Sequence, residues 1–374
     1  MAEYLYLHIP FCARKCIYCD FLSVPHDETL ASSYVAALCR ELEMKRHLAR
    51  ALKTVFIGGG TPTTLPEACL EQIFSCIRQH YDLRPDVEIS IEANPGTVTR
   101  EKASMLLSQG VNRISLGVQS FNDHELKTLG RIHSAQEAVS SAAALLSAGL
   151  ENLSLDLMYG IPGQSMESWR RSLRAVIGLA PKHISAYELT PEKGTRLKES
   201  LDSGDLSLPD EQSVLAMSSL AVDALAKAGF QHYEISNYAL PGYQCVHNMN
   251  YWNRGEYLAA GAGAHSFLKG CRSTNTGSIH EYIRLLGNNV IPEAESALLT
   301  GEEERREFIM LGLRKTEGLL LKDASDLKLD IATAASELIE SGFLEITGSF
   351  LRLTRKGLPV TNAVIIRLLG NLGL

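Results

Sequence analysis

The chain has 374 residues, of which 45% are hydrophobic and 21% charged, and its formal net charge is −7. That length suits two domains or one large α/β barrel with an appendage, and the composition can bury a full core. The acidic balance leaves no basic field for nucleic acid or an anionic membrane. No basic stretch followed by an apolar run opens the chain, so no secretory signal is expected. No apolar run approaches the roughly 18 residues of a membrane span. Eight cysteines, three of them clustered near the start, are no disulfide framework; they suggest a reducing, cytoplasmic setting and a metal site.

In chain order, residues 4–8 read as a strand, 30–50 as a helix, 54–57 as a strand stopping at Gly58-Gly59-Gly60, and 66–81 as a helix. A strand over 87–92 meets the breaker Asn94-Pro95-Gly96; a helix over 99–109 ends at Gly110. Strands over 113–117, 153–157 and 183–189 alternate with helices over 134–148 and 165–177. Six strands alternating with helices imply a parallel sheet with right-handed crossovers, too short for a closed eightfold barrel. The expected fold is α/β, a partial (β/α)6 TIM-like barrel over 1–230, with its chemistry at the strand C-terminal ends. Another helix spans 208–229 and a further strand 233–238. The stretch 242–277, rich in Gly, Asn and aromatics, reads as a structured loop within a connecting region, 231–300. From 301 to 374, a helix through Ile331, Ala334, Ala335, Leu338 and Ile339 precedes a hairpin (343–346 and 350–353) and a helix over 356–369. This is a small α+β winged-helix-like domain. Its 10 Lys+Arg and 11 Asp+Glu give it no basic face, so packing or partner docking suits it better than DNA.

The strongest signal is the C-x3-C-x2-C loop of Cys12, Cys16 and Cys19. Three thiolates on one short loop can hold three irons of a [4Fe–4S] cubane and leave the fourth open to a small molecule. A zinc site, completed by His8 or His26, and three free thiols are the alternatives; zinc more often takes two separated pairs. Gly58-Gly59-Gly60-Thr61 follows the second strand, where glycines let backbone approach a ligand. It lacks the spacing of a dinucleotide fingerprint. Glu92, Gln119 with Ser120, and Asp156 stand at or near later strand ends. Singly they read as caps and turn residues. As a set they suit a cationic, hydroxyl-rich ligand.

The motifs Tyr6-Leu-His-Ile-Pro-Phe-Cys12, Gly58-Gly-Gly-Thr-Pro62, Glu92-Ala-Asn-Pro-Gly96, Ser115-Leu-Gly-Val-Gln-Ser-Phe121, Leu129-Gly-Arg-Ile-His133 and Asp156-Leu-Met-Tyr-Gly-Ile-Pro162 resemble radical S-adenosylmethionine (SAM) proteins. The resemblance is to the oxygen-independent coproporphyrinogen III oxidase family, and within it to a haem-chaperone branch. It implies a cluster on Cys12, Cys16 and Cys19, and SAM held by Tyr6, Tyr18, Gly60, Thr61, Glu92, Gln119, Arg131 and Asp156. Two departures weaken an oxidase reading. The oxidase pattern continues to a fourth cysteine where this chain has Phe21, and the oxidase carries a long segment before the first strand.

The motif Cys245-Val-His247-Asn-Met-Asn-Tyr251-Trp252 matches the H-N-x-x-Y-W signature of the chaperone branch. By that resemblance His247 is a haem ligand, and Tyr251 and Trp252 would cover a porphyrin face. Cys245 and His265 are rival ligands, and a packed corner with His247 bonded to backbone is the structural alternative. The expectation is a haem chaperone that binds haem and SAM and passes haem to an acceptor such as a respiratory haem protein. A homodimer is left open as its assembly, and no nucleic acid partner is expected. Radical decarboxylation of coproporphyrinogen III is the alternative.

Overall fold

The computed structural model describes residues 1–374. Its main body is one sheet of nine strands. We number the principal elements β1 (Ala2–Ile9), α1 (Glu28–Lys45), β2 (Ala49–Gly59), α2 (Glu67–His80), β3 (Leu83–Ala93), α3 (Arg100–Ser108), β4 (Arg113–Gln119), α4 (Ala135–Ser147), β5 (Asn152–Tyr159), α5 (Met166–Gly178) and β6 (His183–Glu188). Then come α6 (Glu211–Lys227), β7 (Gln231–Glu234), β8 (Asn237–Ala239), α7 (Val246–Trp252) and β9 (Leu258–Ala260). The sheet order is β9-β1-β2-β3-β4-β5-β6-β8-β7. Seven strands run parallel, and β8 and β7 add an antiparallel edge. The ends do not meet, so the barrel is partial. Leu5, Leu7 and Ile9 alternate with Tyr4, Tyr6 and His8 along β1, and the leucine side joins Leu38, Leu42 and Leu70 in the buried layer between sheet and helices.

Four local expectations need correction. The helix placed over 30–50 stops at Lys45, because Ala49 pairs with Ala2 and opens β2. The single strand over 233–238 is two strands, β7 and β8, turned where Ser236 N–H bonds the Glu234 carboxylate at 3.1 Å. The supposed loop of 242–277 holds α7, β9 and a hairpin, His265–Leu268 with Cys271–Asn275. Strands within 231–300 are thus hydrogen-bonded into the main sheet. The last helix begins at Thr361, not 356, since Pro359 sits in a 3-10 turn, Leu358–Val360, that leads into it.

Phe308, Ile309, Leu338, Leu351 and Leu368 belong to a second, separate core. It is covered by Gly301–Gly312, Ile331–Glu340 and Thr361–Asn371, with a three-stranded sheet of Leu319–Leu320, Phe350–Leu353 and Leu344–Thr347. No helix is long and apolar enough to cross a membrane.

Candidate functional site

The cysteine loop leaves the end of β1. Phe11–Cys12 pairs with Val24–Pro25, and His26 N–H bonds the Cys12 carbonyl at 2.9 Å, so the loop is closed at its base. Donors reach its sulfurs from two later connections, the turn after β2 and the loop between β4 and α4. Thr61 Oγ1 lies 3.6 Å from Cys12 Sγ, and Arg131 Nη1 lies 3.4 Å from Cys16 Sγ. Donors on sulfur stabilise thiolate ligands. Without metal, burial pushes the Cys12 and Cys19 thiols up, so metal uptake must expel their protons.

At the end of β2, the backbone must pass very close to its neighbours. A Cβ on Gly60 would stand 2.6 Å from the Phe11 carbonyl and 3.0 Å from Cys12 Sγ. Gly59 has φ +116° and donates its N–H to Glu92 Oε2 at 3.0 Å. Glu92 is raised to about 7, chiefly by burial and further by Asp156, against that N–H. Asp156 is also raised by burial. Ser115 Oγ lies 3.0 and 2.9 Å from its two oxygens, and Ser154 Oγ donates to it at 3.1 Å. Gln119 ends β4 in the left-handed region, φ +68°, and accepts a 2.7 Å bond from the Tyr187 hydroxyl. A non-glycine residue held there is locally strained, a feature that gathers at functional sites. Arg131 bonds the Asn94 amide oxygen at 2.5 Å, and Asn94 donates to Thr61 Oγ1 at 2.6 Å. Its Nε is buried without a partner.

Most of these line one cavity of about 400 Å³ at the strand C-terminal ends. Cys12, Cys16, Cys19, Tyr18, Gly60, Thr61, Glu92, Gln119, Arg131 and Asp156 share it; Tyr6 does not. The Tyr6 ring lies in the lumen below, stacked on Phe56 at 6.1 Å, with its hydroxyl 3.1 Å from His8 Nδ1. As a wall of the cavity, Tyr6 is therefore a correction. Asn94, Ser115 and Tyr187 also line the cavity and were missed. Asn94 was read only as a breaker, and the sequence holds no signal for Tyr187 beyond its place on the sixth strand. Three thiols on one wall, two carboxylates opposite, and a glycine cradle that a Cβ would fill suit a cluster with SAM upon it.

The H-N-x-x-Y-W motif lies at the other end of the sheet. Helix α7 enters the lumen at the strand N-terminal ends. Val246 and His247 N–H bond the Glu88 carboxylate at 2.9 and 3.1 Å. His247 is 1% exposed. Its Nδ1 is 2.6 Å from Thr54 Oγ1 and its Nε2 is 2.8 Å from the Tyr251 hydroxyl. Burial, with Arg113 nearby, lowers it to about 3, so it is neutral. Both ring nitrogens are engaged, so in this conformation His247 offers no iron a lone pair, and Tyr251 serves as its partner. Trp252 alone faces outward. It borders a cleft of about 680 Å³ shared with Phe267, Phe308, Leu319, Arg254 and Lys315. The two rivals fare differently: Cys245 is fully buried, and His265 is exposed, its Nδ1 2.8 Å from Thr274 Oγ1.

A cysteine-lined cavity above an open parallel sheet marks a radical SAM protein, and residues 6–176 match the model of the Radical SAM superfamily. Residues 299–360 match the HemN C-terminal domain. The heme chaperone HemW of Bacillus subtilis (strain 168) is 36% identical over 98% of this chain and 99% of its own length. That of Escherichia coli (strain K12) is 44% identical over 70% of this chain and 69% of its own. The chain belongs to the heme chaperone HemW family. Among solved structures, coproporphyrinogen III oxidase (HemN) from Escherichia coli superposes with a TM-score of 0.84 over 97% of this chain and 89% of that one. At 21% identity this likeness is one of fold.

Proposed function

We propose that this chain is a haem chaperone that carries a [4Fe–4S] cluster on Cys12, Cys16 and Cys19, binds SAM beside it, and delivers haem to an acceptor protein. The observation that carries the reading is the single cavity in which those three thiols face Glu92, Asp156, Gln119 and Arg131, in a chain similar to heme chaperones along its whole length. A reduced cluster supplies an electron and an open iron position. The chain's own residues do the rest. Gly59 and Gly60 admit the ligand against the backbone, Glu92 and Asp156 meet positive charge and hydroxyls, and Arg131 braces Cys16 and Asn94.

Haem, in this reading, docks in the cleft walled by Trp252. The cleft offers Phe267, Phe308 and Leu319 for a porphyrin face; its cations Arg254 and Lys315 stand among Glu256, Glu304, Asp323 and Asp326, with Arg254 Nη2 3.2 Å from Glu304. Trp252 Nε1 is buried with no partner. His247 becomes a ligand only if α7 withdraws from the lumen. The acceptor is a haem-requiring protein, a respiratory one being the first to test, and the working form is a homodimer. The oxidase reading is disfavoured at Phe21, which stands 63% exposed on the cavity wall in place of the oxidase's fourth cysteine.

The test is an anaerobic haem titration of cluster-loaded protein. Trp252→Ala should weaken the Soret change severalfold, while His247→Ala should alter the band only in a state where α7 is released. Equal titrations for Trp252→Ala and wild type would remove the cleft. Protoporphyrinogen produced from coproporphyrinogen would replace the chaperone reading with the oxidase one.

A further inference from the structure

The lumen carries an unbroken line of hydrogen bonds from the cavity to the first turn of α7. Ser154 Oγ is 3.1 Å from Asp156 Oδ1 and 2.8 Å from His183 Nδ1. His183 Nε2 is 2.8 Å from the Tyr233 hydroxyl, which accepts the Cys245 N–H at 3.3 Å. Ser154, His183 and Cys245 have no solvent exposure and Tyr233 has 6%, so water cannot substitute for a missing link.

The donors in this line can be ordered. The carboxylate only accepts, so the one Ser154 proton points to Asp156. Ser154 then accepts from His183, which puts the imidazole proton on Nδ1. Nε2 is left as an acceptor for the Tyr233 O–H, and the Tyr233 oxygen takes the Cys245 N–H. Every donor points towards Asp156. A chain aligned in one direction is polarised by the charge at its end, each bond strengthening the next.

We infer that His183 is a positioning residue. It fixes Asp156 for its ligand through Ser154, and it ties that carboxylate through Tyr233 to the turn at Cys245 that holds α7 in the lumen. The inference rests on the proposed SAM site and names a regulation of it. A ligand whose hydroxyls or positive charge engage Asp156 draws on the electron density that polarises the line. The bonds behind Asp156 weaken, and the anchorage of α7 at Cys245 loosens. The Glu88 anchor stays, so SAM binding eases the burial of His247 without undoing the helix.

The test is amide hydrogen exchange of residues 245–252 in cluster-loaded protein, with and without SAM, alongside calorimetric SAM affinity. In wild type, SAM should speed exchange about fivefold or more, the low end of common coupling energies. Tyr233→Phe keeps the ring and removes one link. It should bind SAM as wild type does, with the exchange response gone. His183→Asn can reach only towards Ser154 and His183→Gln only towards Tyr233; both should lose the response, and only His183→Gln should also weaken SAM binding severalfold. A purely structural role would move affinity and exchange together in both. A response that persists in Tyr233→Phe overturns the inference, as does SAM binding to wild type with no change at 245–252. If wild type fails to bind SAM at all, the SAM-site reading falls and the inference with it.

Discussion

The two ends of the sheet are both polar, and their polar groups are used differently. At the strand N-terminal ends, Glu88, His247, Tyr251 and Thr54 spend their hydrogen bonds on one another and on α7. At the C-terminal ends, three thiols, two carboxylates and the unpartnered Nε of Arg131 surround a cavity that no element fills. The lesson is that a row of polar residues at a strand end does not by itself mark a ligand site; open space beside them does.

That contrast can be broken or sharpened experimentally. Cys12→Ala should remove the cluster outright, read as loss of bound iron and of the thiolate-to-iron absorbance after anaerobic reconstitution. Retention of a full cluster would move the site elsewhere. Gly60→Ala drives a Cβ into the Phe11 carbonyl and should weaken SAM binding roughly tenfold to a hundredfold while folding is kept. Wild-type affinity there would mean the cradle is not used.

The next effect is a pH dependence. Glu92 sits at about 7, above its ordinary 4.5, because the fold favours its protonated form. Its contribution to stability is therefore complete below pH 4.5 and lost as pH rises through about 7. A cationic ligand prefers the ionised carboxylate, so SAM affinity should climb by at most about tenfold per pH unit below that value and level off above it. Calorimetry across the range should show the climb in wild type and a flat profile in Glu92→Gln. The smallest effect belongs to the closed end. Glu88→Gln keeps an acceptor for α7 and removes its charge, costing about 1 kcal/mol in denaturant unfolding. A neutral result would mean α7 is held by packing alone.

Much of this was legible in the residues. The six βα repeats and the cysteine loop follow from periodicity and spacing. Ten of the eleven residues expected around the cluster and SAM line the cavity; Glu92, Gln119 and Asp156 were legible because side chains at strand ends gather at one rim, Tyr18 and Arg131 only through the family resemblance. Tyr6 was misplaced by depth, which alternation does not encode: it faces the lumen, one layer beneath Glu92. His247 and Tyr251 do share a helix face, four residues apart, and that spacing was readable. Which way the face points was not, because it depends on strands β2 and β3 far away in sequence. The same holds for β9. Three residues, Leu258–Ala260, carry almost no local signal, and their strand exists through pairing with Leu5, Tyr6 and Leu7.

That last pairing also orders the protein's birth on the ribosome. The strand that launches the cysteine loop is flanked on one side by β2, made soon after it, and on the other by Leu258–Ala260. Until residue 258 has been translated, β1 is an open flank, free to recruit a strand from another chain. The nascent cysteine loop therefore hangs from a half-finished ledge until about two-thirds of the chain has been made.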